Sequence, residues 1–201
     1  MALQSSGQIS LANIAAEHGG SAPHSLSEYY GDGTGVPTSG QIRATDFYGT
    51  IGPKRYWRWY ITGNKNDTQG LIQVAEWDWM YKGSVITNPT PTNPGGSNPA
   101  NELPSDAVDN NVNSKWLDFN FGGVLASATA NNGYSILQFD FGTATYVDGY
   151  RWYTANDAHT RDPDDWTIQY STNGTSWTTA HTVTNAGITT TRLTLAGTWS
   201  F

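Results

Sequence analysis

The sequence contains no cysteine, which excludes disulfide bonds and thiolate metal sites. It also has little positive charge, because ten Lys and Arg residues face seventeen Asp and Glu residues, and the net charge is −7. Binding to nucleic acid or to an anionic membrane surface needs clustered basic residues, so neither partner is expected. No apolar run approaches the roughly 18–20 residues of a membrane span, and the first ten residues lack the pattern of a secretory signal. We therefore expect no membrane insertion and no signal peptide.

Hydrophobic residues are also scarce, at 37% of the chain against about 45–50% in most globular domains. The sequence nevertheless contains 9 Trp, 11 Tyr and 6 Phe residues. This composition predicts a core of a few large aromatic side chains under a surface of Thr, Ser, Asn and Gly. We therefore predict an all-β, loop-rich protein rather than a bundle of helices.

Residues 1–53 differ from the rest of the chain, because they contain no Trp and are rich in Gly, Ser and Ala. The tetrapeptide Ser-Gly-Gln-Ile occurs at residues 6–9 and again at residues 39–42. Ser10 and Thr45 are suitable helix N-caps, so we predict two or three single-turn helices joined by loops. So small a segment is expected to need a partner to bury its aromatic residues, Tyr29, Tyr30, Phe47 and Tyr48. The alternative is a flexible tail.

Residues 54–201 alternate between apolar and polar positions, which is typical of half-buried strands. The first predicted strand covers residues 54–62 and has three apolar residues on one face, Trp57, Trp59 and Ile61. Residues 71–81 alternate imperfectly, and a β-bulge near Ala75 would reconcile their two apolar faces.

Two connections carry distinct signals. Asn173-Gly174 predicts a two-residue hairpin with a type I′ turn, because both central residues of that turn need a positive φ. Residues 84–104 hold five of the nine prolines and form a longer loop than the roughly 12–15 residues usual in compact domains. That loop is either a surface excursion or a binding loop.

Two polar stretches have the chemistry of binding sites. The turn at residues 109–116 carries oxygen-rich side chains, which suit a hard cation such as Ca²⁺; the alternative is an Asx-rich turn without a metal. The loop at residues 154–165 places polar groups near the ring of Tyr153, which suits a sugar. Its candidate ligand-binding residues are Tyr153, Asn156, Asp157, His159 and Arg161. Alternatively, Arg161 pairs with Asp162 or Asp157 and only holds the loop in place.

The sequence offers little for catalysis. It has no Gly-x-Ser-x-Gly elbow, no Cys nucleophile and no His-Glu-x-x-His motif, and its four histidines are scattered. The carboxylates of Asp162, Asp164 and Asp165 could imitate a glycosidase pair, but acidic residues in a β-loop are far more often solvated or capping groups. We therefore predict that the protein is not an enzyme.

The region around residues 147–179 resembles the discoidin (coagulation-factor C-domain) family of galactose-binding-like β-sandwiches. The resemblance rests on several residues at fixed spacings: Asn156, Asp157, Arg161, Asp162, Pro163, Trp166, Ser171, Gly174 and Trp177. It spans about residues 54–201 and implies a jelly-roll sandwich whose loops often bind glycans, other proteins or lipid head groups.

The family resemblance also implies a structural calcium site and a changed strand order. The family's calcium turn matches residues 107–116, and its ligands carry over to Glu76, Asp109, Ser114 and the backbone near Asn111. Asn110 replaces the usual Gly and Ser114 the usual Thr, although Asn tolerates a positive φ. The strand pair that normally closes the domain here precedes it, so the domain resembles a circularly permuted member with its ends close together. We therefore expect the strand at residues 55–61 to pair with the strand near residues 191–197.

Residues 3–50 resemble the N-terminal region of tail-associated and other structural proteins of bacteriophages, on the motifs at residues 6–11, 19–30 and 42–49. The two resemblances together predict a virion protein, made in the host cytoplasm. Residues 1–53 would contact other virion proteins, and residues 54–201 would bind a host-surface glycan. We expect a homo-oligomer within the particle. The alternative is a purely structural head-decoration or tail-connector protein that uses the sandwich for protein contacts.

Overall fold

The computed structural model describes residues 2–66, 70–122 and 133–201. The N-terminal segment forms one α-helix, α1 (Leu11–His18), and two 3₁₀ turns, Leu26–Tyr29 and Ala44–Phe47. Ser10 starts α1 because its hydroxyl accepts a hydrogen bond from the Asn13 backbone N–H, while the Asn13 side chain accepts one from the Ser10 N–H. The helix ends at Gly19, whose φ of 84° favours glycine.

The N-terminal segment has a small core of its own, formed by Ile14, Tyr29, Val36 and Phe47. Tyr29 is 1% exposed and Phe47 is 0% exposed. For these two rings, the expectation that burial needs a partner chain is therefore wrong, whereas Tyr30 and Tyr48 are half-exposed. The two 3₁₀ turns and α1 pack against one another, and the rings of Tyr29 and Phe47 meet edge to face at 6.1 Å.

The same segment packs on the sandwich through buried polar contacts. Lys54 Nζ, on the first strand, pairs with Glu17 Oε1 at 2.7 Å, and both side chains are buried. His18 lies between the two parts, with its ring nitrogens 2.9 Å from the Thr50 hydroxyl and 3.2 Å from the Tyr146 hydroxyl. These contacts argue against a flexible tail.

The rest of the chain forms a sandwich of two four-stranded antiparallel sheets and one short strand pair. The strands are β1 (Lys54–Asn64), β2 (Ile72–Val74), β3 (Glu76–Tyr81), β4 (Ser84–Val85), β5 (Trp116–Asp118), β6 (Ser135–Thr145), β7 (Gly149–Tyr153), β8 (Pro163–Ser171), β9 (Thr178–Val183) and β10 (Leu195–Ser200). The first sheet has the order β6-β1-β8-β9, the second has the order β10-β7-β3-β4, and β2 pairs with β5. The predicted all-β sandwich is confirmed.

The core between the sheets is built from aromatic rings, as the composition predicts. The alternation along β1 turns Trp57 and Trp59 inward, and both are fully buried. Trp59 meets Trp77 of the opposite sheet at a ring-centroid distance of 4.4 Å, and Trp57 meets Trp79 at 5.6 Å. Because each such ring removes about 150–250 Å² from water, a few of them compensate for the low apolar content.

Residues 71–81 do not form one bulged strand. The chain breaks at Ala75 into β2 and β3, which belong to different sheets: Val74 pairs with Trp116, and Glu76 pairs with Tyr153. The crossing between sheets explains the imperfect alternation: residues 72–79 are all buried, so neither face of this segment is exposed to water.

The closing strand pairs differently from what the permuted order predicts. We expected the strand at residues 55–61 to pair with residues 191–197, but β1 pairs with β6 and β8, and β10 pairs with β7 in the opposite sheet. The two ends are nevertheless close in space, since the Phe201 ring lies 5.8 Å from that of Trp57. This proximity meets the spatial condition for a circular permutation.

Asn173-Gly174 is a turn, but not a two-residue hairpin. Residues 172–177 connect β8 to β9, and only Gly174 of the pair has a positive φ, at 73°. The Ser171 hydroxyl accepts from the Asn173 and Gly174 N–H groups, and Asn173 Oδ1 accepts from the two N–H groups that follow. These side-chain bonds make the longer loop stable.

The long loop after β4 is held against the sheets. Thr92 exchanges two backbone hydrogen bonds with Gln138 of β6, at 2.8 and 2.9 Å. The Asn88 side chain accepts from Trp79 N–H and donates to the Trp77 carbonyl, as a neighbouring strand would. A 3₁₀ turn at Pro104–Ala107 then leads into the candidate calcium turn.

Candidate functional site

The candidate ligand loop follows β7 and precedes β8 at one end of the sandwich. Asn156, Asp157 and His159 are exposed on it, while Arg161 is half-buried. Tyr153 is still part of β7, where it pairs with Glu76 and Leu195. The Arg151 guanidinium lies 5.7 Å from the centre of its ring.

Lys115 and Gln73 hold this loop from below. Gln73 Nε2 donates to the carbonyls of Asp157 and Ala158, at 3.0 and 3.1 Å. Lys115, which is 6% exposed, places Nζ 2.8 Å from Asp157 Oδ1 and 3.3 Å from Gln73 Oε1. Burial alone would raise the pKa of Asp157, but the hydrogen bond and charge of Lys115 outweigh it, so the pKa is lowered. Asp157 is thus held as a carboxylate.

Arg192 holds the loop from the side. Its guanidinium donates to both oxygens of Asp162, at 2.8 and 2.5 Å, and to the Asp157 carbonyl at 3.1 Å. Asp162 is fully buried. In the alternative interpretation of this loop, Arg161 pairs with Asp162 or Asp157. Arg161 lies 3.8 Å from Asp157, whereas Asp162 pairs with Arg192.

The candidate calcium residues converge at the neighbouring turn. Asp109 Oδ2 accepts from the Ser114 hydroxyl at 2.7 Å, and the same hydroxyl lies 2.7 Å from the Asn111 carbonyl oxygen. Glu76 Oε2, from the start of β3, accepts from the Asn111 N–H at 3.1 Å. Asn110 adopts φ 60°, so the turn keeps the left-handed position expected where the family has Gly. Residues 35 positions apart in sequence therefore lie in one cluster.

Glu76 shows that these residues fit a cation. It is 4% exposed, and its Oε1 has no hydrogen-bond partner. Burial, with the nearby Asp78 and Asp109 charges, raises the pKa of Glu76 to about 7. A buried carboxylate oxygen without a donor is satisfied by a hard cation, and hydroxyl and carbonyl oxygens complete the ligand set that Ca²⁺ prefers. Within the described ranges, no cluster of three or more His, Cys, Asp or Glu side chains could hold a metal, so such a site would rely on the oxygens of Asn111 and Ser114.

The acidic residues next to the ligand loop have structural partners. Asp165 Oδ1 accepts from the Asn185 N–H at 2.8 Å, and Asp164 Oδ1 accepts from the Gly187 N–H at 3.2 Å. With Asp162 paired to Arg192, the three carboxylates all act as acceptors that position the connection between β9 and β10.

Three residues of this site were not predicted from the sequence. Gln73 left a signal, because it is a polar residue between Ile72 and Val74 in an apolar strand. Lys115 lies beside Trp116 at the end of the predicted calcium turn, but its partner Asp157 is 42 positions away. Arg192 gave no signal in the sequence, since it is one polar residue in a Thr-rich stretch.

Comparison with known families gives one match. Residues 90–198, more than half of the chain, match the model of the F5/8 type C domain. The match covers the candidate calcium turn and ligand loop; β1 and β3 lie outside it, although they are inner strands of their sheets. No curated protein matches the chain, and no solved structure does. In the described part of the chain, no helix is long and apolar enough to cross a membrane.

Proposed function

Because the chain belongs to the F5/8 type C (discoidin) domain family, we propose that it is a non-enzymatic protein that binds a glycan through the loop at residues 154–162. The family supports carbohydrate or protein binding as the general activity. The loop supplies what recognition of a sugar requires, namely exposed amide, carboxylate and imidazole groups on a backbone that is already held in place.

The observation that carries this proposal is the way in which the loop is fixed. Gln73, Lys115 and Arg192 bind its carbonyls and the Asp157 carboxylate at 2.8–3.1 Å. The side chains of Asn156 and His159 remain exposed. A loop that is already ordered loses little conformational entropy when a ligand binds, and this increases affinity.

A calcium ion would make the same end of the domain more rigid. Glu76, Asp109, Ser114 and the Asn111 carbonyl would hold it, and it would offset the repulsion between the two carboxylates. Lys115 follows Ser114 directly and contacts Asp157, so a fixed turn also fixes the support of the ligand loop. The proposed role of calcium is structural.

The absence of catalysis is supported by how the acidic residues are used. Asp162, Asp164 and Asp165 accept hydrogen bonds from Arg192 or from backbone N–H groups. A glycosidase needs one carboxyl group free to protonate the leaving group and another free to attack or to activate water. These three carboxylates stabilise loops instead.

We place the protein in a bacteriophage virion, as a tail- or fibre-associated structural protein that attaches to a host-surface glycan. The support is the resemblance of residues 3–50 to structural proteins of phages. In this proposal residues 1–53 contact other virion proteins, and several copies assemble in one particle. Repeated copies would strengthen weak glycan binding through avidity. Locating the chain in a map of the particle, with residues 1–53 in contact with neighbouring virion proteins, would check this placement.

A second candidate function is a structural one, in which the sandwich binds another protein of the particle. Leu193 and Leu195 favour it, because they are 39% and 42% exposed, and Leu195 pairs with Tyr153 next to the ligand loop. Exposed apolar side chains at one end of a domain suit a protein partner better than a sugar.

Glycan-array binding separates the two functions. We expect the full-length protein to bind a restricted set of glycans, and Asn156→Ala and His159→Ala each to weaken binding about five- to tenfold, the usual effect of losing one hydrogen bond. Thr175→Ala is the matched control, since Thr175 is exposed on the loop at the opposite end of β8. If no glycan binds, or if the control weakens binding equally, the glycan proposal is wrong.

A further inference from the structure

The outer face of the first sheet carries a row of ring and guanidinium groups at its centre. On β1, Trp57, Trp59 and Ile61 face the core, so the intervening side chains of Tyr56, Arg58 and Tyr60 face outward and are half-exposed. β1 lies between β6 and β8. The outward residues of β1 are therefore in the middle of this face.

Four side chains form a continuous stack on this face. The rings of Tyr134 and Tyr60 are parallel within 20° at 5.0 Å. The Arg58 guanidinium lies 5.2 Å from the centre of the Tyr60 ring and 4.2 Å from that of Trp177. Trp177 comes from the loop between β8 and β9, and Gly174 of that loop lies against the Tyr56 ring. The Arg58 guanidinium therefore lies between two rings, with Trp177 on the side of Tyr56 and Tyr60 on the other side.

Arg58 differs from the other arginines of the sandwich. Arg55, Arg151, Arg161 and Arg192 each lie within 4.0 Å of an Asp carboxylate. Among the described residues, Arg58 has no such acidic partner; its Nε donates to Gln169 Oε1 at 2.7 Å. In a chain of net charge −7, a half-buried guanidinium with no carboxylate partner in the described part of the chain is unusual, and burial lowers the pKa of Arg58.

The arrangement is suited to one kind of ligand. The aromatic rings restrict approach to the guanidinium faces, and Gln169 holds Nε, so the terminal nitrogens can engage a planar anion in two parallel hydrogen bonds. Tyr134 and Trp177 lie at the two ends of the stack, and their outward ring faces suit the C–H faces of sugar rings. Gln138 and Gln169 flank Arg58 on the neighbouring strands and can bond hydroxyl groups.

We propose that the outer face of the first sheet, formed by Arg58, Tyr60, Tyr134, Gln169 and Trp177, binds an acidic saccharide whose carboxylate pairs with Arg58. This site is separate from the loop at residues 154–162 and does not depend on it. Arg58 supplies the selection for charge, and the rings supply the contact area. The acidic net charge of the protein disfavours long polyanions such as nucleic acid, so the ligand is a short acidic sugar that places one carboxylate against Arg58.

The test measures binding of two acidic oligosaccharides, trigalacturonate and sialyllactose, by calorimetry with the full-length protein. Their neutral counterparts, galactotriose and lactose, are measured alongside. We expect at least one acidic sugar to bind about tenfold or more tightly than its counterpart. Arg58→Gln should abolish that preference, a loss of about ten- to a hundredfold for one charged bidentate contact. Arg58→Lys should retain part of it, because the charge remains and the paired geometry is lost.

Arg43→Gln is the matched control, since it removes the same charge from an exposed arginine of the N-terminal segment. It should leave the preference for acidic sugars unchanged, and melting curves should show that each variant is folded. The proposal is overturned if neither acidic sugar binds, if acidic and neutral sugars bind equally, or if Arg43→Gln acts like Arg58→Gln. Asn156→Ala separates the two sites: a loss of acidic-sugar binding in that variant would assign the binding to the loop.

Discussion

Arg192 offers a sharp test of how the ligand loop is supported. Its guanidinium makes two charge-assisted hydrogen bonds to Asp162, which is 0% exposed, and a third to the Asp157 carbonyl. Arg192→Met keeps most of the side-chain length but leaves the Asp162 carboxylate buried without its cation. Breaking a buried ion pair from one side costs about 3–5 kcal/mol. We expect the lower end, about 3 kcal/mol, because Lys65 and His159 also favour the charged form of Asp162.

The effect should depend on pH in a defined direction. Burial already raises the pKa of Asp162 above its ordinary value, despite Arg192. Removing Arg192 raises that pKa further, so on acidification Asp162 becomes protonated in the folded variant and no longer needs a cation. The difference in unfolding free energy between wild type and variant should therefore be largest at neutral pH and should shrink as the pH falls through the raised pKa.

Denaturant and thermal unfolding at pH 7 and pH 4 would measure this. A loss of about 3 kcal/mol corresponds to a decrease in Tm of about 6–12 °C for a chain of this size. The double variant Asp162→Asn, Arg192→Met should recover part of the loss at pH 7, because no buried charge remains. A loss below about 1 kcal/mol at pH 7, or an equal loss at both pH values, would refute the reasoning.

Two further predictions concern the candidate calcium turn and the N-terminal segment. A chelator should lower the Tm of the wild type, by the equivalent of about 2.7 kcal/mol if calcium was at a hundredfold excess over its Kd. Asp109→Ala should abolish that response. Identical melting of metal-free protein with calcium and with chelator would favour the Asx-turn interpretation. Glu17→Gln should lower the unfolding free energy by about 1–3 kcal/mol, because Lys54 Nζ is buried against Glu17. A separate melting transition for residues 1–53 would contradict the packing of this segment on the sandwich.

The sequence by itself determined which side of β1 faces the core and where the local turn at residues 109–114 forms. The alternation of Trp57, Trp59 and Ile61 fixes which side of β1 is buried, because successive side chains of a strand point to opposite faces. The turn at residues 109–114 is also local, since its Asx and Ser side chains bond backbone groups within a few residues. Patterns of this kind depend on neighbours in sequence and can be read directly.

Only the tertiary structure decided which strands pair and which charges meet. β10 follows its own alternation whether it lies beside β1 or β7, so its sequence does not select a partner. The break at Ala75 depends on β2 and β3 joining different sheets. The pairs Lys115–Asp157 and Arg192–Asp162 span 42 and 30 positions. Each forms because the packing of the two sheets brings distant loops to the same end of the sandwich, and no local pattern records that distance.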